Sequence, residues 1–112
     1  MTTEWEALPD NVKTFMAALD TREGDRALAT LTTDAVVTDE GRDYKGRKDI
    51  GAWLATAASE YTYTTEFTGA TTTDTTVDVG QHLEGNFPGG VADLHYRFTL
   101  DGALISRLVI EP

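Results

Sequence analysis

Apolar and polar residues alternate with a period of two through most of the second half of the chain. From Tyr61 to Phe67, aromatic and threonine side chains at odd positions alternate with threonine and glutamate at even positions. This period is typical of a β-strand with one buried face. The further strands predicted on the same basis are 76–85, 91–100 and 104–110. Because turn-forming residues separate these segments, the pattern predicts four long antiparallel strands.

Apolar residues in the first half recur at helical spacing instead. The pattern predicts three helices: one after Pro9 with the stripe Val12, Phe15, Met16 and Leu19, a short one with Ala27, Leu28 and Leu31, and one over Arg47–Ser59 with Ile50, Trp53, Leu54 and Ala57 on one face. A short strand, Ala35–Asp39, and a hairpin-like connection around Tyr44 separate the second helix from the third. These elements together predict an α+β fold.

Two of the strands have a preferred register. If 76–85 and 91–100 pair about the Gly85–Gly90 turn, paired positions sum to about 175. One face then pairs Val77 with Phe98, Val79 with Tyr96, Gln81 with Leu94 and Leu83 with Ala92, and the other pairs Asp78 with Arg97, Gly80 with His95 and His82 with Asp93. A slip of one residue would mix apolar and charged positions. We therefore expect His82, Asp93 and His95 to face away from the helices.

Composition limits the partners of the chain. Its 112 residues predict a single domain, 1–112, and its 19 acidic against 9 basic residues give a net charge of −10. Such a field repels nucleic acid and anionic membrane surfaces. The sequence has no cysteine, no basic-then-apolar leader and no apolar run of membrane-spanning length. We expect neither nucleic acid nor a membrane as a partner, and a cytoplasmic location.

The last strand has apolar residues on both of its predicted faces. Leu108 and Ile110 lie on one face, and Ile105 and Val109 on the other. Two apolar faces indicate that both are covered. A second copy of the chain could supply the outer cover, so we predict a homodimer through the outer face of the sheet.

Three segments carry a family resemblance: FMAALDTREGDRALATLTTDAVVTDEG (15–41), YKGRKDIGAWL (44–54) and YRFTLDGALISRLVIEP (96–112). The order of these motifs resembles the nuclear transport factor 2-like superfamily, and within it the SnoaL-like and ketosteroid-isomerase-like proteins. The resemblance implies a cone-shaped, curved antiparallel sheet with three helices packed on its concave side, enclosing a pocket. Isomerases, cyclases and plain binding proteins share this fold, so the fold alone does not define a function.

The resemblance places Asp39 where ketosteroid isomerases keep their general base. In an apolar cavity, the pKa of this carboxyl would rise enough to take a proton from carbon next to a carbonyl. The alternative is a solvated aspartate that begins a turn. The positions that match the oxyanion donors of that family are Phe15 and Leu94. Neither can donate a hydrogen bond, which argues against steroid isomerisation.

Inward-facing side chains should form the wall of the pocket. The predicted ligand contacts are Phe15, Trp53, Tyr61, Tyr63, Gln81, Leu94 and Tyr96, with tyrosine hydroxyls and the Gln81 amide as polar groups. We expect a small, largely apolar ligand and no cofactor or metal. Two functions remain open: an isomerase- or cyclase-like enzyme with Asp39 as base, or a non-catalytic binding or dimerisation module.

Overall fold

The computed structural model describes residues 4–56 and 60–112, which form three helices and six strands. After a 3₁₀ turn at Trp5–Ala7, the helices are α1 (Asp10–Thr21), α2 (Gly24–Leu28) and α3 (Gly46–Ala55), and the strands are β1 (Leu31–Asp39), β2 (Arg42–Lys45), β3 (Tyr63–Thr72), β4 (Thr76–Gly85), β5 (Val91–Asp101) and β6 (Leu104–Glu111). The α+β prediction is confirmed. None of the helices in these two ranges is long and apolar enough to cross a membrane.

The six strands form one curved sheet in the order β2-β1-β6-β5-β4-β3. Every neighbouring pair is antiparallel except β1 and β6, which run parallel. The sheet predicted as antiparallel is therefore mixed at one seam. The physical reason is that β1 enters beside β6 from helix α2 and not through a hairpin.

The predicted register of β4 and β5 is confirmed pair by pair. Val77 lies opposite Phe98 and Val79 opposite Tyr96, and all four side chains are buried. On the outer face, His82 Nδ1 lies 2.7 Å from Asp93 Oδ1. The apolar pairs thus lie on the inner face and the oppositely charged pairs on the outer face, as the alternation requires.

Helices α1 and α3 cover the concave face of the sheet. The rings of Phe15 on α1 and Phe98 on β5 meet edge to face with centroids 5.7 Å apart. Trp53 and Ile50 on α3 are buried in the same apolar cluster. These contacts leave one end of the cone open.

The ends of helices α2 and α3 differ from the sequence prediction, and β1 and β3 begin at Leu31 and Tyr63, not at Ala35 and Tyr61. Leu31 does not belong to the second helix but begins β1, opposite Ile105. Helix α2 ends earlier because the Thr30 hydroxyl donates to the Ala27 carbonyl at 2.7 Å and closes the last turn. Helix α3 ends at Ala55, and the predicted Ala57–Ser59 portion lies outside the described residues.

A bulge in β6 changes the face of Ile105. Arg107 lies opposite Thr99, but Ile105 lies opposite Leu100, so Ser106 is an extra residue in the strand. Ile105 therefore points inward beside Leu108, and both are fully buried. The prediction that Ile105 lies on the outer face is wrong, because period-two counting cannot detect an inserted residue.

Candidate functional site

The open end of the cone contains a cavity of about 410 Å³. Its wall combines residues of α1, α3 and five strands with the loops at the mouth. The lining residues are Leu19, Asp39, Glu40, Trp53, Glu60, Tyr61, Tyr63, Leu83, Phe87, Pro88, Ala92, Leu94, Tyr96, Ile110, Glu111 and Pro112. A concave, mostly apolar cavity of this size is typical of small-molecule sites.

Asp39 is held in the wall by the end of β1 and by helix α3. It is the last residue of β1, and the following residues Glu40 and Gly41 both have positive φ, 53° and 76°. This turn joins β1 to β2 in the manner favoured by right-twisted hairpins. The Trp53 indole N–H donates to Asp39 Oδ2 at 3.0 Å. The carboxylate is therefore oriented as well as half-buried.

Burial raises the pKa of the Asp39 carboxyl, because removal from water disfavours the charged form. Hydrogen bonds from the Trp53 indole and the Glu40 backbone N–H stabilise the charged form and offset part of that effect. A carboxyl group with a raised pKa in a cavity wall is a candidate acid–base group.

Tyr63 on β3 and Tyr96 on β5 bring two hydroxyl groups to the same cavity. Burial raises the pKa of both tyrosines, and the negative charges of Asp20 and Asp39 raise them further. Both hydroxyls therefore remain protonated donors at neutral pH. Tyr96 is only 3% exposed, and neither hydroxyl has a hydrogen-bond partner within residues 4–56 and 60–112.

Contacts between loops hold the mouth of the cavity together. The ring of Phe87, in the β4–β5 turn, lies 6.2 Å from the ring of Tyr61 and 6.4 Å from that of Tyr63. Arg22 Nη2 donates to the Tyr61 carbonyl at 2.6 Å. The Thr62 backbone N–H donates to the Asn86 side chain at 2.8 Å. These contacts join both the β4–β5 turn and the end of α1 to the segment before β3.

Six of the eight predicted site residues line the cavity: Asp39, Trp53, Tyr61, Tyr63, Leu94 and Tyr96. Phe15 does not line it, because its side chain is fully buried in the core, where the α1 helix packs on Phe98 of β5. Gln81 is buried opposite Leu94 and is not part of the wall.

The sequence interpretation did not include several other lining residues in the site. Leu83 and Ala92 form an inward pair in the β4–β5 register, so that register contained a signal for them. Glu40 and Glu60 lie beside the ends of regular elements, where alternation carries no information.

The two histidines lie on the opposite face of the sheet from the cavity. Asp93 and then Glu84 raise the pKa of His82, and His95 Nδ1 lies 2.8 Å from Asp78. No group of three metal-ligating side chains is placed to hold an ion in the described ranges. Both histidines therefore contact carboxylates on the outer face and not the cavity.

We expect Trp53→Phe to raise the pKa of Asp39 further. The indole hydrogen bond stabilises the carboxylate, and its loss leaves desolvation less opposed. Carbon-detected NMR titration of the Asp39 carboxyl in both proteins would measure the change. A pKa that stays the same or falls would show that the indole does not control this group. Trp5→Phe is the matched control, because Trp5 packs on Phe67 away from the cavity.

A half-buried carboxylate and two tyrosines thus line the open end of an α+β cone. No protein-family model and no curated protein matches the sequence. A candidate polyketide cyclase from Sinorhizobium meliloti has a similar solved structure, with 31% identity, a TM-score of 0.90 and coverage of 97% of this chain and 100% of that one.

Two more distant structures share the fold. One is a protein with a ketosteroid isomerase-like fold from Catenulispora acidiphila, in complex with trimethylamine. It is 17% identical, its TM-score is 0.81, and the match covers 95% of this chain and 87% of that one. The other is the Δ5-3-ketosteroid isomerase from a Mycobacterium species. It is 16% identical, its TM-score is 0.74, and the match covers 91% of this chain and 89% of that one. The chain belongs to the nuclear transport factor 2-like superfamily, among its SnoaL-like and ketosteroid-isomerase-like members.

Proposed function

We propose that the chain binds a small, largely apolar molecule in the cone cavity and catalyses proton transfer next to a carbonyl, with Asp39 as the base. One observation carries the proposal: an oriented carboxylate with a raised pKa shares an apolar cavity with two protonated tyrosine hydroxyls. A base and hydrogen-bond donors are the two components that this chemistry needs.

In the proposed reaction, Asp39 removes a proton from the carbon next to a ligand carbonyl. The electron pair of the broken C–H bond moves to the carbonyl oxygen, which becomes an enolate. The Tyr96 or Tyr63 hydroxyl donates a hydrogen bond to that oxygen; one such donor is worth about 10²–10³ in rate. If the enolate is conjugated with a neighbouring C=C bond, return of the proton from Asp39 to the far carbon completes an isomerisation. Alternatively, attack of the carbanion on a second carbonyl of the ligand forms a ring and an alkoxide, which takes the proton from Asp39.

The donors differ from those that the family resemblance would supply. Phe15 lies in the core, and Leu94 lines the cavity without a donor atom. The tyrosines belong to β3 and β5 and approach from the sheet. The ligand carbonyl would therefore lie against the sheet and away from α1, which is compatible with a substrate that is not a steroid.

A second candidate is a binding module without chemistry. The apolar character of Leu94 favours it, as does the engagement of Asp39 by the Trp53 indole and the Glu40 N–H. The trimethylamine complex of the Catenulispora acidiphila protein supports small-molecule binding by this fold. Both candidates share the cavity and differ only in whether Asp39 accepts a proton from carbon.

The homodimer through the outer face stays a prediction. With Ile105 turned inward, Val109 and Val36 are half-buried apolar residues of that face, next to ion pairs such as Asp78 with Arg97. Size-exclusion chromatography with light scattering tests it, and a monomer at all concentrations would remove it.

The proposed function is tested by deuterium exchange at the α-carbon of 2-tetralone in D₂O, followed by NMR. We expect wild type to accelerate exchange over buffer. The Ala92→Trp variant, in which the larger side chain fills the cavity, should give an acceleration at least about tenfold smaller than that of wild type. Val91→Trp is the matched control, because Val91 is 58% exposed on the same strand. Binding without accelerated exchange, in a panel of ketones and lactones, would instead establish the binding module.

A further inference from the structure

The charged groups in the cavity wall all have the same sign. Four carboxylates line it, from Asp39, Glu40, Glu60 and Glu111, and no lysine, arginine or histidine of the described residues does. Five aromatic rings line it as well, those of Trp53, Tyr61, Tyr63, Phe87 and Tyr96. A neutral apolar ligand would make no use of this negative charge.

Neighbouring cations compensate only part of the charge. Arg97 pairs with Glu111, and Arg22, a cation near the mouth, donates to the Tyr61 carbonyl from outside the lining. Glu40 and Glu60 are exposed and have no ion pair within residues 4–56 and 60–112. The mouth therefore keeps a negative potential, which the net charge of −10 reinforces.

The rings at the mouth meet at steep angles. Phe87 is inclined by 63° to Tyr61 and by 77° to Tyr63. Rings arranged in this way form a corner in which a cation can contact more than one π-face. Deeper in the wall, the 97% buried Tyr96 has a hydroxyl without a partner in the described part of the chain. Because Tyr96 Oη is not among the buried polar atoms that lack a partner in the described ranges, this oxygen is accessible from the cavity, where it can bond to a ligand; it is a second, independent indication of a ligand site.

We propose that the ligand of this cavity is an organic cation, with its apolar body against the buried floor and an ammonium group at the mouth between the rings of Tyr61 and Phe87 and the carboxylates of Glu40 and Glu60. The proposal rests on the proposed function, because it describes the ligand of the same cavity. The floor consists of Leu19, Leu83, Tyr96 and Ile110, which are all buried. The mouth residues are exposed or half-buried.

The test compares two phenols of the same shape, (3-hydroxyphenyl)trimethylammonium and 3-tert-butylphenol, in which carbon replaces the charged nitrogen. Binding is measured at pH 6.5 by NMR titration of the wild-type protein. We expect the cation to bind roughly three- to tenfold more tightly than its neutral isostere, with shifts centred on Tyr61 and Phe87. Equal or weaker binding of the cation overturns the proposal.

Variants that remove the carboxylate charges at the mouth test whether those charges cause the preference for the cation over its neutral isostere. We expect Glu40→Gln with Glu60→Gln to reduce the preference to about twofold or less. Glu66→Gln removes one charge on the outer face of β3 and should keep the wild-type preference. A preference that survives in the double variant overturns the assignment to these carboxylates.

The outcomes also separate this proposal from the proposed function. If only 3-tert-butylphenol binds, the organic-cation proposal is wrong, and the cavity is a pocket for an apolar ligand. If neither phenol shifts the signals of the cavity residues, and 2-tetralone exchange is not accelerated, both proposals fail.

Discussion

Asp39→Asn is expected to slow α-proton exchange by about 10²–10⁴-fold relative to wild type. Asparagine has almost the same shape, and its Oδ1 can still accept the Trp53 N–H, so the wall should keep its structure. What it loses is a group that can take a proton. Exchange of 2-tetralone protons, measured by NMR at saturating ketone, gives the ratio directly.

The pH dependence provides the internal control. The carboxylate is the active form, so the wild-type rate should rise with pH through the raised pKa of Asp39 and then level off. The asparagine variant should lack that rise. Asp34→Asn, which alters an exposed carboxylate on the same strand, should keep both the rate and its pH profile. An unchanged rate in the Asp39 variant would eliminate this residue as the base.

The same substitution should stabilise the fold slightly at neutral pH. Because the pKa of Asp39 is raised by folding, the native state holds this proton more tightly than the unfolded chain, and stability falls as pH rises through the native pKa. At neutral pH, asparagine removes a desolvated charge, and we expect a Tm higher by a few degrees. Below the pKa of the unfolded chain, both states are protonated and the advantage should disappear.

Phe15→Ala is expected to lower the free energy of unfolding by about 3–5 kcal/mol. Phe15 is fully buried, and its ring meets Phe98 edge to face at 5.7 Å, so truncation leaves a cavity between α1 and the sheet. Urea denaturation followed by circular dichroism measures the change through the transition midpoint.

A second phenylalanine variant distinguishes a residue of the cavity wall from a residue of the core. Phe87→Ala, at the half-buried mouth, should cost about 1 kcal/mol or less in stability while weakening ligand binding. Phe15→Ala, where it remains folded at low temperature, should bind ligand with nearly wild-type affinity. Weakened binding without loss of stability in the Phe15 variant would show that Phe15 contacts the ligand after all.

Short-range patterns in the sequence determined most of the architecture. The helical stripe from Val12 to Leu19 and the alternation of β4 and β5 each reflect a period that one buried face imposes. The β4–β5 register followed because apolar pairs and the Asp78–Arg97 and His82–Asp93 pairs all require the same alignment. Alternation and the β4–β5 register predicted Tyr63 and Tyr96 as inward-facing wall residues, whereas only the family resemblance predicted Asp39 at the pocket.

Only the tertiary structure decided which inward residues line a cavity and which fill the core. Phe15, Gln81 and Tyr96 are all buried and inward, yet only Tyr96 reaches the cavity. The bulge at Ser106, the parallel pairing of β1 with β6 and the hydrogen bond from Trp53 to Asp39 likewise have no local pattern in the sequence. The physical reason is that depth within the cone depends on the twist and curvature summed over six strands and on where the helices stop covering them, and both quantities arise from contacts between distant residues.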